Sequence, residues 1–165
     1  MNTHVLLLGA LVGVLTTASS DVAVVIGSRL GVGGPGPRRG GPAIIGRWFA
    51  YMLKGQFRHA SIFETPRLPG ELPLGITAHY AIGIIFTFAF GMIMRALHVS
   101  SMTLPAVLFG LATVAFPWFL MLPSQGLGIM GRGAPPPARL GRMSLYTHFV
   151  FGLALALWVT LLRPF

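Results

Sequence analysis

The sequence predicts an all-α membrane protein, a four-transmembrane-helix bundle with a basic interfacial segment in its first cytoplasmic loop. Three observations carry this expectation. Hydrophobic residues make up 54% of the 165-residue chain and charged residues only 9%, against about 25% charged in a soluble domain. Separate apolar runs are long enough to cross a bilayer, which takes about 20 residues. Twelve Lys and Arg face three acids, Asp21, Glu64 and Glu71, and the basic residues sit mostly between the apolar runs. By length, residues 1–165 read as one integral membrane domain.

The first run covers about 5–26, the second 75–97, the third 104–122 and the fourth 145–162. Pro105 sits early in the third run, where a missing N–H costs nothing. Pro117 lies inside it and predicts a kink. The first run has a rival reading as a cleaved leader, since Ala18-Ser19-Ser20 resembles a signal-peptidase site. Against that, the N-terminus lacks Lys and Arg, and the apolar run resumes at Val22.

Orientation follows from the basic residues. The first loop, about 27–74, holds Arg29, Arg38, Arg39, Arg47, Lys54, Arg58 and Arg67. The third loop holds Arg132, Arg139 and Arg142, while only Arg95 and Arg163 mark the opposite side. An excess of Lys and Arg marks cytoplasmic loops. Both termini are therefore expected in the periplasm, in a bacterial inner membrane. The same placement assigns the basic charge to anionic lipid rather than to nucleic acid. No cysteine is present, which excludes disulfides, thiolate metal sites and a Cys nucleophile.

Within the first loop, residues 31–42 are rich in Gly and Pro and cannot be helical. Gly31, Gly33 and Gly36 spell G-x-G-x-x-G, but they follow a membrane helix rather than a strand, so no nucleotide site is assigned. Ile44, Ile45, Trp48, Phe49 and Met52 share one side of a helix that also carries Arg47, Lys54 and Arg58. This reads as a basic helix on the membrane surface, with Arg47, Trp48, Lys54 and Arg58 at the headgroups. The rival is an amphipathic helix packed on the bundle. The Pro-rich stretch from Glu64 to Pro73 is expected to be extended.

Residues four apart line one helix face. The first run gives Gly9, Gly13, Thr17, Asp21. The second gives Gly75, His79, Gly83, Thr87, Gly91. The fourth gives Ser144, His148, Gly152, Ala156, Thr160. Small residues at this spacing let helix backbones approach closely. Gly9, Gly13, Gly83, Gly91 and Gly152 are thus helix-packing positions. Each stripe also carries one ionisable group near the cytoplasmic side. Asp21, His79 and His148, with Gln125 at the end of the third run, form the candidate intramembrane polar cluster.

Four readings fit that cluster. It is a structural clasp, a proton or ion relay, a haem site with His79 and His148 as axial ligands, or a metal site with Asp21 as carboxylate. No cofactor and no metal is assigned on these residues alone, with haem the cofactor left open. His4, His59 and His98 read as solvated, and Trp48, Trp118 and Trp158 as interfacial anchors. His79-Tyr80-Ala-Ile-Gly83 parallels His148-Phe149-Val-Phe-Gly152, a weak two-hairpin repeat. No Ser-His-Asp spacing, P-loop or H-E-x-x-H occurs, so no catalytic residue is assigned.

Several motifs together resemble a known family. They are Gly46-Arg47-Trp48-Phe49, Gly55-Gln56-Phe57-Arg58-His59 and Ala78-His79-Tyr80, then Pro105 to Thr113, Phe116-Pro117-Trp118, Met121-x-Pro123 with Gly126-x-Gly128, and Thr147 to Gly152. This order resembles the bacterial membrane proteins catalogued as domain of unknown function 2938. The resemblance implies a four-helix inner-membrane protein and no particular activity. It departs at Leu122, where the family pattern has Gln in a Met-Gln-Pro motif.

The expected function is that of a non-catalytic accessory, assembly or scaffold subunit, paired with a membrane-protein partner or with itself. The alternatives are a proton-coupled carrier or a haem-binding component built on Asp21, His79 and His148. Four helices are few for a carrier unless it forms an oligomer.

Overall fold

A computed structural model describes residues 3–31, 41–134 and 139–165. The Gly/Pro segment of the first loop falls almost wholly outside the described residues. Helices α1 (Thr3–Arg29), α3 (Glu71–Ala96), α4 (Thr103–Ser124) and α5 (Leu140–Leu162) are each long and apolar enough to cross a membrane. A shorter helix, α2 (Gly41–Met52), lies between α1 and α3 in sequence and packs on α3. Among the described residues there is no strand.

Helix α1 packs against both α3 and α5, and α4 packs against α5. At their centre, Phe86 of α3 meets Phe109 and Phe116 of α4 and Phe151 of α5 edge-on, with centroids 6.3–6.4 Å apart. The outer faces are large and apolar. Along α5, Leu145, Phe149, Leu153, Leu157 and Leu161 are all exposed. They recur every four residues, which makes one lipid-facing ridge. The facing stripe of Gly152 and Ala156 is buried, although Thr160 at its far end is exposed.

Small residues set the helix spacing. A Cβ at Gly13 would lie 2.7 Å from Ile84 Cα. One at Gly152 would lie 2.9 Å from Val107 Cα, and one at Gly110 would strike Gly152 itself. Gly83 abuts the Thr17 hydroxyl, and Gly9 and Gly91 lie against the rings of Phe88 and Phe165. The buried hydroxyls between these contacts bond within their own helices: Thr17 to the Gly13 carbonyl at 2.8 Å, Thr87 to the Gly83 carbonyl at 3.0 Å.

Helix α4 is not uniform. Pro117 has no N–H to offer the preceding turn, and the helix widens into a π-turn over Pro117–Met121 before Leu122–Ser124 closes it. Such widened turns are frequent at functional sites.

Three expectations are corrected. Helix α3 starts at Glu71, so Pro73 sits in its first turn rather than in an extended segment. An early helical position tolerates proline, and an acid there suits the helix dipole. Helix α2 is docked on the bundle, not spread on a surface. A Cβ on Gly46 would run into the Glu71 carbonyl, and one on Gly75 would sit 2.8 Å from the Gly46 nitrogen. Arg47 and Trp48 are consequently buried, at 5% and 4% exposure, while Lys54 and Arg58 stay exposed. His59 is buried too, because residues 59–62 fold onto the end of α4. Its N–H donates to the Ser124 carbonyl at 2.8 Å, and the Ile62 N–H donates to the Gln125 carbonyl at 2.9 Å.

Candidate functional site: an intramembrane cavity with two histidines

Helices α3 and α5 begin at the same end of the bundle, and His79 and His148 each lie eight residues in from Glu71 and Leu140. That is about 12 Å along the axis at 1.5 Å per residue, one turn deeper than the apolar runs alone indicate. Asp21 lies eight residues before the end of α1, at matching depth.

His79 Nε2 is 2.9 Å from Asp21 Oδ1. A carboxylate only accepts, so Nε2 carries the proton and donates it. His148 is held differently. Its Nδ1 lies 2.8 Å from Thr113 Oγ1, and that hydroxyl lies 2.6 Å from the Gly110 carbonyl. Each histidine is thus held by the first membrane helix of its own hairpin, His79 by α1 and His148 by α4. In both, the glycine four residues later packs on that same helix, Gly83 at Thr17 and Gly152 at Gly110.

Both rings line one cavity of about 190 Å³ inside the bundle. Thr17 and Ser20 of α1, Ser144 and Thr147 of α5, and the π-turn of α4 complete much of its wall, and Phe86 forms part of the apolar side. Asp21 does not line it, nor does Gln125. Gln125 is 2% exposed and belongs instead to the packing of α4 against residues 59–62. The structure therefore brings Asp21 to His79, and His79 to the same chamber as His148, and sets Gln125 apart.

Met121 and Met143 also line the chamber. Among the described residues no group of three His, Cys, Asp or Glu side chains is placed to hold a metal ion.

A second polar node sits at the α2 end. The Arg47 guanidinium grips Glu71 with two bonds, Nε to Oε2 at 2.8 Å and Nη2 to Oε1 at 2.9 Å. Its Nη1 donates to the Ile62 and Thr65 carbonyls at 3.0 and 3.2 Å. The bond to the Glu71 carboxylate raises the Arg47 pKa above its ordinary value. Beside it, His59 Nδ1 lies 3.1 Å from Thr65 Oγ1, and burial lowers the His59 pKa. Trp48 Nε1, His59 Nε2 and Gln125 Nε2 are buried there without a hydrogen-bond partner among the described residues. Trp118 and Trp158 spend their N–H groups inside the protein, on the Gly141 carbonyl at 3.2 Å and Ser19 Oγ at 3.0 Å, so they are not free belt residues.

Sequence reasoning missed Thr113, Arg47–Glu71 and the two methionines. A hydroxyl three residues after Gly110 in an apolar helix was a visible signal for the first. The separation of 24 residues hid the second.

The sequence matches the family described as "Protein of unknown function (DUF2938)" over residues 10–162, and the chain belongs to that family. No curated protein matches it, and no solved structure does.

Proposed function

For this DUF2938 protein we propose a binding role centred on the His79/His148 cavity, as a small proton-coupled carrier for an ion or small molecule. One observation carries the reading: His79 and His148 line one cavity of about 190 Å³ between the helices. A purely structural bundle would fill that space to normal packing density. Ionisable groups within a membrane are costly and mark ion or proton pathways. The small volume favours an ion or small solute over a haem, since ordinary ligand pockets run to roughly 300–1,000 Å³. The Lys and Arg distribution supports a bacterial inner-membrane location, with α2 at the cytoplasmic end and both termini periplasmic.

The test uses the purified full-length chain in liposomes with a pH-sensitive dye inside. Under an imposed pH gradient, a monovalent cation supplied as the probe should move coupled to protons, and His79→Leu or His148→Leu should reduce that proton movement to the level of empty vesicles. The second reading, an accessory or assembly subunit, draws support from the backbone-to-backbone contact of Gly110 and Gly152. An absence of flux at every pH tested, with a stoichiometric protein partner, would select it.

A further inference from the structure

We propose that the groove at the start of α5 is a binding site for one anionic phospholipid, separate from the histidine cavity. Arg132, Arg139 and Arg142 all line a single open groove of about 440 Å³ at the α2 end of the bundle. A second groove of about 390 Å³ adjoins it and shares Arg142 and Leu145. Its remaining wall includes Leu111 and Phe149. The first groove offers three cations, and the second an apolar channel beside α4 and α5. That order, charge then hydrocarbon, is the order of a phosphate headgroup and its acyl chain.

The fold builds this convergence. Arg139 caps α5 and Arg142 lies in its first turn. Arg132 directly follows the preceding 3-10 turn, Ile129–Gly131, and Gly131 has φ 72°. A Cβ on Gly131 would sit 2.7 Å from Leu140 Cβ, so that turn is pinned against the start of α5. The Trp118 indole is fixed in the same wall by its bond to the Gly141 carbonyl.

Charge complementarity selects the occupant. Asp21 is bonded to His79 and Glu71 to Arg47, while the exposed Glu64 sits in another loop. Among the described residues none of the three groove arginines has an acidic partner, and Arg132 has only the Met130 sulfur at 4.0 Å. Arginine forks match phosphate oxygens well. Lys54 and Arg58 are also exposed, but they line neither groove, so general attraction to an anionic surface is separable from this site.

The test is native mass spectrometry of the full-length chain, released from bilayer discs holding equal amounts of phosphatidylglycerol and phosphatidylcholine. Wild type should retain phosphatidylglycerol preferentially. R132Q/R139Q/R142Q should lose at least about tenfold of that retention, as expected from removing several cations near a lipid surface. K54Q/R58Q should keep it. Equal retention of the two lipids, or equal loss in both variants, would overturn the site. So would full displacement of the lipid by millimolar inorganic phosphate, which would mark an ion site, or by an acidic peptide, which would mark a protein groove. An independent measurement needs no variant. Phosphatidylglycerol with brominated acyl chains should quench the protein's tryptophan fluorescence more than brominated phosphatidylcholine does, through Trp118, and equal quenching would refute the assignment.

Discussion

The Thr113 hydroxyl stands between His148 Nδ1 at 2.8 Å and the Gly110 carbonyl at 2.6 Å. A hydroxyl has one proton, and the carbonyl can only accept, so the short bond to Gly110 takes it. Thr113 must then accept from His148 Nδ1–H, which leaves Nε2 of the neutral ring bare. Nitrogen NMR of His148 should show the Nδ1–H tautomer. Thr113→Val should erase that preference and cost about 1 kcal/mol of stability, the net worth of one hydrogen bond. An unchanged tautomer in Thr113→Val would mean that Gly110, not Thr113, holds the ring.

Asp21 serves one histidine rather than two. Its carboxylate meets His79, and His148 is held from α4. A double-mutant cycle of Asp21→Asn with His79→Leu should therefore show coupling. The sign and presence of coupling, rather than its size, are what the cycle reads. The cycle of Asp21→Asn with His148→Leu should be additive within about 0.5 kcal/mol. Thermal unfolding in one detergent reads both cycles. Equal coupling in the two would return Asp21 to a shared clasp.

The four spans and the glycine faces were legible because they are periodic. A stripe such as Gly9, Gly13, Thr17 repeats at the helical spacing whatever the neighbouring helices do. The depth of the histidines was not, because helix starts depend on caps and tertiary contacts. Glu71, the first residue of α3, is bonded at its carboxylate by Arg47, far away in sequence. For the same reason Arg47 looked like a surface cation. Hydropathy cannot tell a charge that meets lipid headgroups from one buried on an acid. The hollow beside His79 was equally hidden, since a cavity is a property of how five helices fail to fill space.

Arg47 and Glu71 are 6% and 13% exposed at the side chain. Breaking a buried pair strands the other charge, at a cost of about 3–5 kcal/mol. Arg47→Ala should therefore destabilise strongly. Arg47→Lys should recover little, because an ammonium cannot reproduce a two-bond fork and reach Ile62 and Thr65 as well. Chemical denaturation in detergent measures both. Full rescue by Lys would show that charge alone, not the fork, ties α2 to α3.

Gly110 and Gly152 touch backbone to backbone, with no side chain between them to yield. Gly110→Ala should push α4 from α5 and cost about 1–3 kcal/mol, the usual range for overpacking. Gly55→Ala is the control. Nothing lies within 4 Å of its Cβ position, and only its φ of 83° resists a side chain. Both losses should appear in the unfolding midpoint, but only Gly110→Ala should also shift the Phe86 ring resonances, because Phe86 packs between α4 and α5.

Burial lowers the His59 pKa, which gives stability a pH dependence of known sign. In the unfolded chain histidine titrates near about 6.5. Above that value both states are neutral and His59 contributes no slope. As pH falls below it, the unfolded chain binds a proton that the folded state resists, so stability declines until the pH passes the lower folded value. The unfolding midpoint should therefore be lower at pH 5 than at pH 7.5. Other groups contribute to the overall slope, so the informative quantity is the difference from His59→Gln, which has no such proton. That variant should lose less stability over the same interval. A wild-type slope no steeper than the variant's would mean that acid enters the fold elsewhere.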